Sequence, residues 1–158
     1  MEKYFISFAD KTNRQINVEN ENGDIVYTAR KTLNLLSEKI ILTNVKNEKV
    51  AEIRRNISFV LPSYRVSVAE KDTFTVKRKF GFSVAYDVIG LPWMAEADSE
   101  CENYLVHNNG EPVFEIKKER ERWRIGYILC VKSDYDALYG ITLSIAIDSA
   151  MRAIARVK

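Results

Sequence analysis

Residues 137–157 form the one long stretch of the chain whose hydrophobic pattern is firmly helical. The segment reads ALYGITLSIAIDSAMRAIARV, and its apolar residues leave no wide polar face. A helix that is apolar nearly all round is either buried in a protein core or inserted in a membrane. The apolar run 137–147 is only 11 residues long before Asp148 interrupts it, whereas a membrane span needs about 18 or more. The pattern therefore predicts a buried helix and no transmembrane segment.

The rest of the chain has the pattern of short β-strands separated by turn residues such as Asn22-Gly23-Asp24 and Asn108-Asn109-Gly110. A spacing of about 8–12 residues between such turns is typical of an all-β barrel or sandwich. The predicted strands are 4–8, 15–18, 25–29, 40–43, 50–54, 57–60, 64–69, 73–77, 84–88, 92–97, 104–107, 113–117, 123–125 and 127–132.

The helix and the strands together predict a particular architecture. A helix with its side chains is about 10–12 Å across, and a barrel of about eight strands has room only for its own side chains or one small ligand. We therefore expect a mainly β protein, a closed antiparallel barrel of about 12 strands around a central hydrophobic C-terminal helix. With no linker or low-complexity segment, we expect residues 1–158 to form a single domain.

An internal repeat supports a sheet built from two similar units. Val50, Glu52 and Ile53 recur 63 residues later as Val113, Glu115 and Ile116. Tyr64 and Val68 recur at the same offset as Tyr127 and Val131. Each unit consists of a turn, a strand ending in two basic residues, and a strand beginning with tyrosine.

Composition excludes some classes of partner. The formal net charge is +2, so the protein is not a polycation, and no nucleic acid is expected. The N-terminus, MEKYFISFAD, lacks the features of a signal peptide, so we expect a cytoplasmic protein. The two cysteines, Cys101 and Cys130, are too few for a disulfide framework and fit reduced thiols.

Candidate chemistry is sparse. The chain has one histidine, His107, and no nucleophile elbow, phosphate-binding loop or dinucleotide fingerprint. We therefore expect no catalytic residues, no metal site and no cofactor. Asp148 stands out within the apolar helix, and because a buried carboxylate is costly without partners, we expect it to bond strand backbone or pair with an arginine inside the barrel mouth.

Four segments occur in a characteristic order, NGDIVYTARK, VAEIRRNISFVLPSYRV, NNGEPVFEIKK and LYGITLSIAID. With the terminal helix, they resemble the LURP-one-related family, which has the tubby C-terminal-like fold, over most of the chain. The resemblance implies a closed β-barrel around a central hydrophobic helix. The family is largely without known activity, while tubby proteins, similar in fold, bind phosphoinositides and associate with membranes; phospholipid scramblases are thought to share the fold. The tubby lipid-binding residues have no match here, so none is carried over.

Charge is strongly segregated along the sequence. Residues 81–116 contain seven acids and no Lys or Arg, whereas residues 49–80 carry eight bases and three acids. Two rows alternate with period two, so each would line one face of an extended strand. The acidic row is Glu96, Asp98, Glu100 and Glu102, and the basic row is Lys118, Arg120, Arg122 and Arg124.

Two sets of basic residues are candidate sites for anionic lipid headgroups. The first is the basic row, in which Trp123 is a suitable interfacial aromatic. The second is Lys77, Arg78 and Lys79, next to Phe80 and Phe82. One alternative is that the acidic and basic rows pair with each other across strands. Another alternative is a calcium site in the acidic row.

Three classes of function stay open at this point. The first is a non-enzymatic binding scaffold that is peripheral at membranes through anionic phospholipid or phosphoinositide-type headgroups, or that binds a protein partner. The second is a carrier of small hydrophobic ligands with a lipocalin-like barrel, although the apolar helix argues against it. The third is an enzyme of unrecognised type. The sequence does not determine the oligomeric state.

Overall fold

The computed structural model describes residues 1–8, 14–33, 37–57, 61–121, 124–132 and 135–157. They form twelve strands and one helix. The strands are β1 (Glu2–Phe8), β2 (Gln15–Glu19), β3 (Ile25–Leu33), β4 (Glu38–Asn44), β5 (Lys49–Asn56), β6 (Ser63–Val68), β7 (Lys71–Arg78), β8 (Ala85–Ile89), β9 (Trp93–Ala97), β10 (Asn103–Asn108), β11 (Glu111–Glu121) and β12 (Arg124–Val131); the helix is α1 (Ala137–Val157).

Each strand pairs antiparallel with its neighbours in sequence, and β12 pairs with β1 to close the barrel. The predicted architecture of a mainly β barrel around a C-terminal helix is thus confirmed. The predicted strand 57–60 is described only at Ile57, which lies in the β5–β6 connection. Residues 58–60 lie outside the described residues. The predicted strands 123–125 and 127–132 are one strand, β12, with Trp123 outside the described residues.

The antiparallel order gives the barrel two distinct ends. The hairpin end carries the turns between β2 and β3, β4 and β5, β6 and β7, β8 and β9, and β10 and β11, and the loop end carries the other connections. In the β10–β11 turn, Asn109 and Gly110 have φ of 50° and 90°, the left-handed pair that suits a two-residue hairpin. Since β12 finishes at the hairpin end, α1 begins there and runs towards the loop end.

The helix fills the barrel. Ile141, Leu143 and Ile145 are no more than 1% exposed, and they belong to one hydrophobic core with inward residues of the strands. The window Ala137–Ile154 is long and apolar enough to cross a membrane, with a mean hydropathy of 1.3, and 72% of it is buried inside the protein. Around the start of the helix, Trp93 packs edge-on against Phe114, with ring centroids 5.3 Å apart.

The two copies of the sequence repeat are the hairpins β5–β6 and β11–β12, which lie six strands apart in a twelve-stranded barrel and therefore on opposite sides. The repeated tyrosines have the same role. Tyr64 donates a hydrogen bond to Glu38 at 3.1 Å, and Tyr127 donates one to Asp148 at 2.8 Å. Lys31 completes the first pair, with its Nζ 2.8 Å from a Glu38 oxygen. Each buried carboxylate therefore accepts a hydrogen bond from a wall tyrosine at the equivalent position of the repeat.

Candidate functional site

Outward-pointing cations on β4 to β7 form a continuous basic surface. Lys39, Arg54 and Arg65 follow one another across three strands in directly paired positions. Their neighbours along each strand, such as Ile53 and Val66, are buried in the core, so strand alternation turns the cations outwards. Lys77 lies beside this row on β7 and is exposed. We call these four cations the basic face.

One carboxylate lies within the basic face. Glu52 is 2.8 Å from Arg54 Nε, 3.3 Å from Lys39 Nζ and 3.2 Å from Lys49 Nζ. Burial by itself raises the pKa of Glu52, but hydrogen bonds from Arg54, Lys49 and Lys39 outweigh that effect and lower the pKa to about 2. Because one negative charge is shared among three cations, the surface keeps an excess of positive charge.

The lowered pKa of Glu52 makes a testable contribution to stability. A carboxyl group with a depressed pKa stabilises the fold above its ordinary pKa of 4.5, and this contribution is lost as the pH falls towards about 2. Since its partners are largely exposed, we expect Glu52→Gln to cost only about 1 kcal/mol at neutral pH. The melting temperatures of the variant and the parent, followed by circular dichroism, are expected to converge as the pH falls through this window.

The exposed Glu21, in the β2–β3 turn, supplies the matched control. Glu21→Gln is expected to melt with the parent protein at every pH, because Glu21 forms no ion pair with the described residues. A gap between Glu52→Gln and the parent that did not change with pH would contradict the assignment of the stabilisation to the carboxylate charge.

An aromatic segment adjoins the basic face at the loop end. Residues 79–84 connect β7 to β8, and we call them the aromatic loop. Within it, Phe80 is 75% exposed, and Phe82 is fully exposed. Ile57, which follows β5 two strands away, is 82% exposed. Large apolar side chains grouped at one edge of a surface mark an interaction site more often than single ones do.

The structure separates the predicted cations Lys77, Arg78 and Lys79. Lys77 points outwards, while Arg78 lies on the inner side, with its guanidinium carbon 5.7 Å from the centroid of the Tyr86 ring. Lys79 Nζ is 3.9 Å from an Asp87 carboxylate oxygen. Only Lys77 of the three is thus an outward cation without an ion-pair partner among the described residues.

The predicted basic row is not one strand face. Lys118 and Arg120 lie on β11 and both face Glu102, with distances of 4.0 Å and 2.9 Å to its Oε1. Arg122 lies outside the described residues. Arg124 is the first residue of β12, and only the backbone of Arg124 is described. The interpretation of the four cations as a row on a single face is therefore wrong, because a hairpin separates the last of them from the first two.

The acidic row is also interrupted. Glu96 lies on β9, whereas Asp98, Glu100 and Glu102 belong to the β9–β10 turn. Asp98 organises this turn by accepting hydrogen bonds from the backbone N–H groups of Glu102 and Asn103, at 3.0 and 3.3 Å. Hydrogen bonds from these N–H groups hold the pKa of Asp98 below its usual value. The pairing of Glu102 with both β11 cations agrees with the alternative in which acidic and basic rows pair with each other.

Asp148 has partners inside the loop-end mouth of the barrel. It accepts hydrogen bonds from the Tyr127 hydroxyl at 2.8 Å and from Arg152 Nε at 2.7 Å. Burial, followed by the nearby Asp148 charge, raises the pKa of Tyr127. Arg152 also lies over the ring of Phe8, 5.0 Å from its centroid. The prediction that Asp148 pairs with an arginine in the mouth is confirmed.

The other side chains that could take part in chemistry are not clustered. His107 Nε2 is 3.7 Å from a Glu96 oxygen, and Cys101 and Cys130 are free thiols. Among the described residues, no three His, Cys, Asp or Glu side chains are grouped so that they could hold a metal ion. The basic face itself was missed from the sequence, since Lys39, Arg54 and Arg65 are far apart along the chain; the basic ending of the repeat unit was the one available signal.

Comparisons with known proteins agree with this architecture. The chain resembles the crystal structure of a protein from Arabidopsis thaliana, with a TM-score of 0.67 and 14% sequence identity over 93% of this chain and 90% of that one. At this identity the likeness shows the fold alone. A search of curated proteins gives no significant match. The barrel and its central helix agree with the match of residues 3–148 to the LURP-one-related family model, and the chain belongs to that family.

Proposed function

We propose that this protein is a non-enzymatic binding domain that docks on anionic membrane surfaces through the basic face and the aromatic loop. The main support for the proposal is a row of outward cations with fewer acidic neighbours than basic residues. This row lies beside two exposed phenylalanines on the same side of the barrel. The expected ligands are phospholipid or phosphoinositide-type headgroups. The negatively charged cytoplasmic leaflet is then the surface that the protein would meet.

The two parts of this surface supply different contributions. Each Lys or Arg near an anionic membrane contributes about 1 kcal/mol, and this attraction is screened by salt. Phe80 and Phe82 can enter the interfacial region, where apolar burial adds a contribution that salt does not screen. Since either contribution alone is modest, we expect stable docking to need both.

The packed interior argues against the carrier alternative. The helix residues Ile141 and Ile145 are buried against the barrel wall, so a hydrophobic ligand would have to displace the helix to enter. Loss of that packing would cost much of the core. A surface site is therefore the better hypothesis.

Co-sedimentation with vesicles tests the proposal. We expect binding to vesicles containing phosphatidylserine or a phosphoinositide, weakening from low to moderate salt, and little binding to phosphatidylcholine vesicles. Arg65→Gln/Lys77→Gln is expected to weaken binding by roughly tenfold, since two cations contribute about 1 kcal/mol each before screening. Phe80→Ser/Phe82→Ser is expected to weaken it further at moderate salt.

The matched control is Lys118→Gln/Arg120→Gln, which also removes two positive charges but takes them from the pair with Glu102. This control is expected to bind vesicles as the parent does. Equal losses in the two double variants would show that net charge rather than the basic face drives binding. Absence of binding to every anionic vesicle would refute the membrane proposal.

A further inference from the structure

The outer wall of β8 to β11 has an apolar centre bordered by carboxylates. Leu105 is 42% exposed and lies directly between Glu96 and Glu115 in the register of three neighbouring strands. The next cross-strand row contains Asp87, Met94 and His107. We call this surface, defined by Asp87, Met94, Glu96, Leu105, His107 and Glu115, the acidic wall.

A groove extends the apolar centre towards the hairpin end. It has a volume of about 380 Å³ and is lined by Ile89, Leu91, Pro92 and Met94, with Asp87 and His107 at its sides. Ile89 is 53% exposed. The groove is large enough for one or two apolar side chains of a partner, and its volume lies near the lower end of the range for small-molecule sites, about 300–1,000 Å³.

The carboxylates of the acidic wall are only loosely paired. Asp87 is 3.9 Å from Lys79, Glu115 is 3.7 Å from Lys117, and Glu96 is 3.7 Å from the His107 ring. These separations exceed hydrogen-bond length, in contrast to the 2.8 Å contact between Glu52 and Arg54. Their acceptor capacity is therefore available to an incoming cation.

One polar atom beside the groove has no hydrogen-bond partner among the described residues. The Nδ1 atom of His107, which lines the groove, is buried and makes no hydrogen bond to the part of the chain that the structure describes. Residues 81–116 contribute seven acids and no Lys or Arg, so the local field favours a cationic partner. The apolar centre favours a large hydrophobic anchor.

We propose that the acidic wall docks a basic segment of a partner protein, with an apolar side chain over Leu105 or in the groove and Lys or Arg side chains on Asp87, Glu96 and Glu115. The segment binds through side chains, because all twelve strands are paired in a closed barrel and offer no edge for an added strand. This inference does not rest on the membrane proposal. The two surfaces are adjacent, since Asp87 pairs across strands with Lys77 of the basic face, but they have opposite charge and would bind different partners.

Differential selection from a random dodecapeptide library tests the proposal. Peptides are selected on the parent protein after depletion on Leu105→Lys, and binding is then measured by fluorescence polarisation. We expect the selected peptides to be enriched in Lys or Arg and to contain a large apolar residue. Glu96→Lys is expected to weaken their binding by roughly tenfold or more, as removal of a central contact does in other interfaces. Glu21→Lys, an equal charge change in the β2–β3 turn, is expected to leave it within about twofold.

Each other outcome overturns the proposal. Peptides without basic enrichment, or no peptides above the depleted background, would show that the wall does not recognise such segments. Equal weakening by Glu96→Lys and Glu21→Lys would indicate nonspecific charge attraction. Concentration-dependent dimers in analytical ultracentrifugation that Leu105→Lys abolishes would make a second copy of this chain the occupant.

Discussion

Ile145→Asp is expected to prevent this protein from folding. Ile145 is 1% exposed at the centre of α1 and belongs to the core between the helix and the strands. The substitution removes an apolar side chain and places a carboxyl group within the hydrophobic core. An uncompensated buried charge alone costs about 3–5 kcal/mol, and the lost packing adds to this, against a total stability of about 5–15 kcal/mol for a typical domain. Thermal unfolding followed by circular dichroism is expected to show no cooperative transition.

Ile145→Val separates the charge from the change of shape. This control removes one methylene and is expected to cost about 0.5–1.5 kcal/mol while keeping the cooperative melt. A cooperative melt of Ile145→Asp near that of the parent protein would show that the helix does not occupy the centre of the barrel.

Gly126→Ala is expected to destabilise the closure of the barrel. Gly126 lies on β12 opposite Ser7 of β1. The pairing of these two strands closes the sheet into a barrel. A Cβ at this position would overlap the carbonyl oxygen of Ile6 and lie 3.1 Å from the Ser7 Cα. Backbone atoms in a ladder cannot move aside independently, so the two strands must separate. We expect a loss of about 3 kcal/mol or more in the free energy of unfolding, measured by denaturant titration.

Gly140→Ala is the matched comparison. A Cβ at Gly140 would meet side-chain atoms, at 2.7 Å from Phe114 and 3.0 Å from Leu129. Side chains can adjust, and alanine is favoured over glycine in a helix by about 1 kcal/mol. We therefore expect Gly140→Ala to cost clearly less than Gly126→Ala. The reverse order would contradict the close approach of β1 and β12 at Gly126.

Much of the fold was predictable because it depends on local pattern. The bounds predicted for the helix, residues 137–157, agree with α1, since an apolar surface all round the helix leaves only a buried position. Most strand segments were recognised from β-type residues between turn signals. Residues 123–125 and 127–132 were predicted as two strands because the β-type pattern is interrupted at 126. In the structure Arg124–Val131 form one strand.

The candidate site was less predictable. Lys77 and Arg78 are adjacent in sequence but lie on opposite sides of the barrel wall, and the two β11 cations Lys118 and Arg120 are paired with Glu102. The basic face joins Lys39, Arg54 and Arg65 through cross-strand register. Period-two reasoning identifies residues that share a face within one strand, but it does not tell which strands are neighbours or which charges meet across them.

The sequence by itself determined the class of the fold, the buried helix and the separation of acidic from basic segments, because each depends on residues close together along the chain. Only the tertiary structure decided which cations face solvent, which acids neutralise them, and where apolar side chains border the carboxylates of the acidic wall. Those relations depend on register between strands, which is a property of the closed sheet. A surface site on a barrel is therefore assembled from distant segments, and its composition follows from the pairing that closes the sheet.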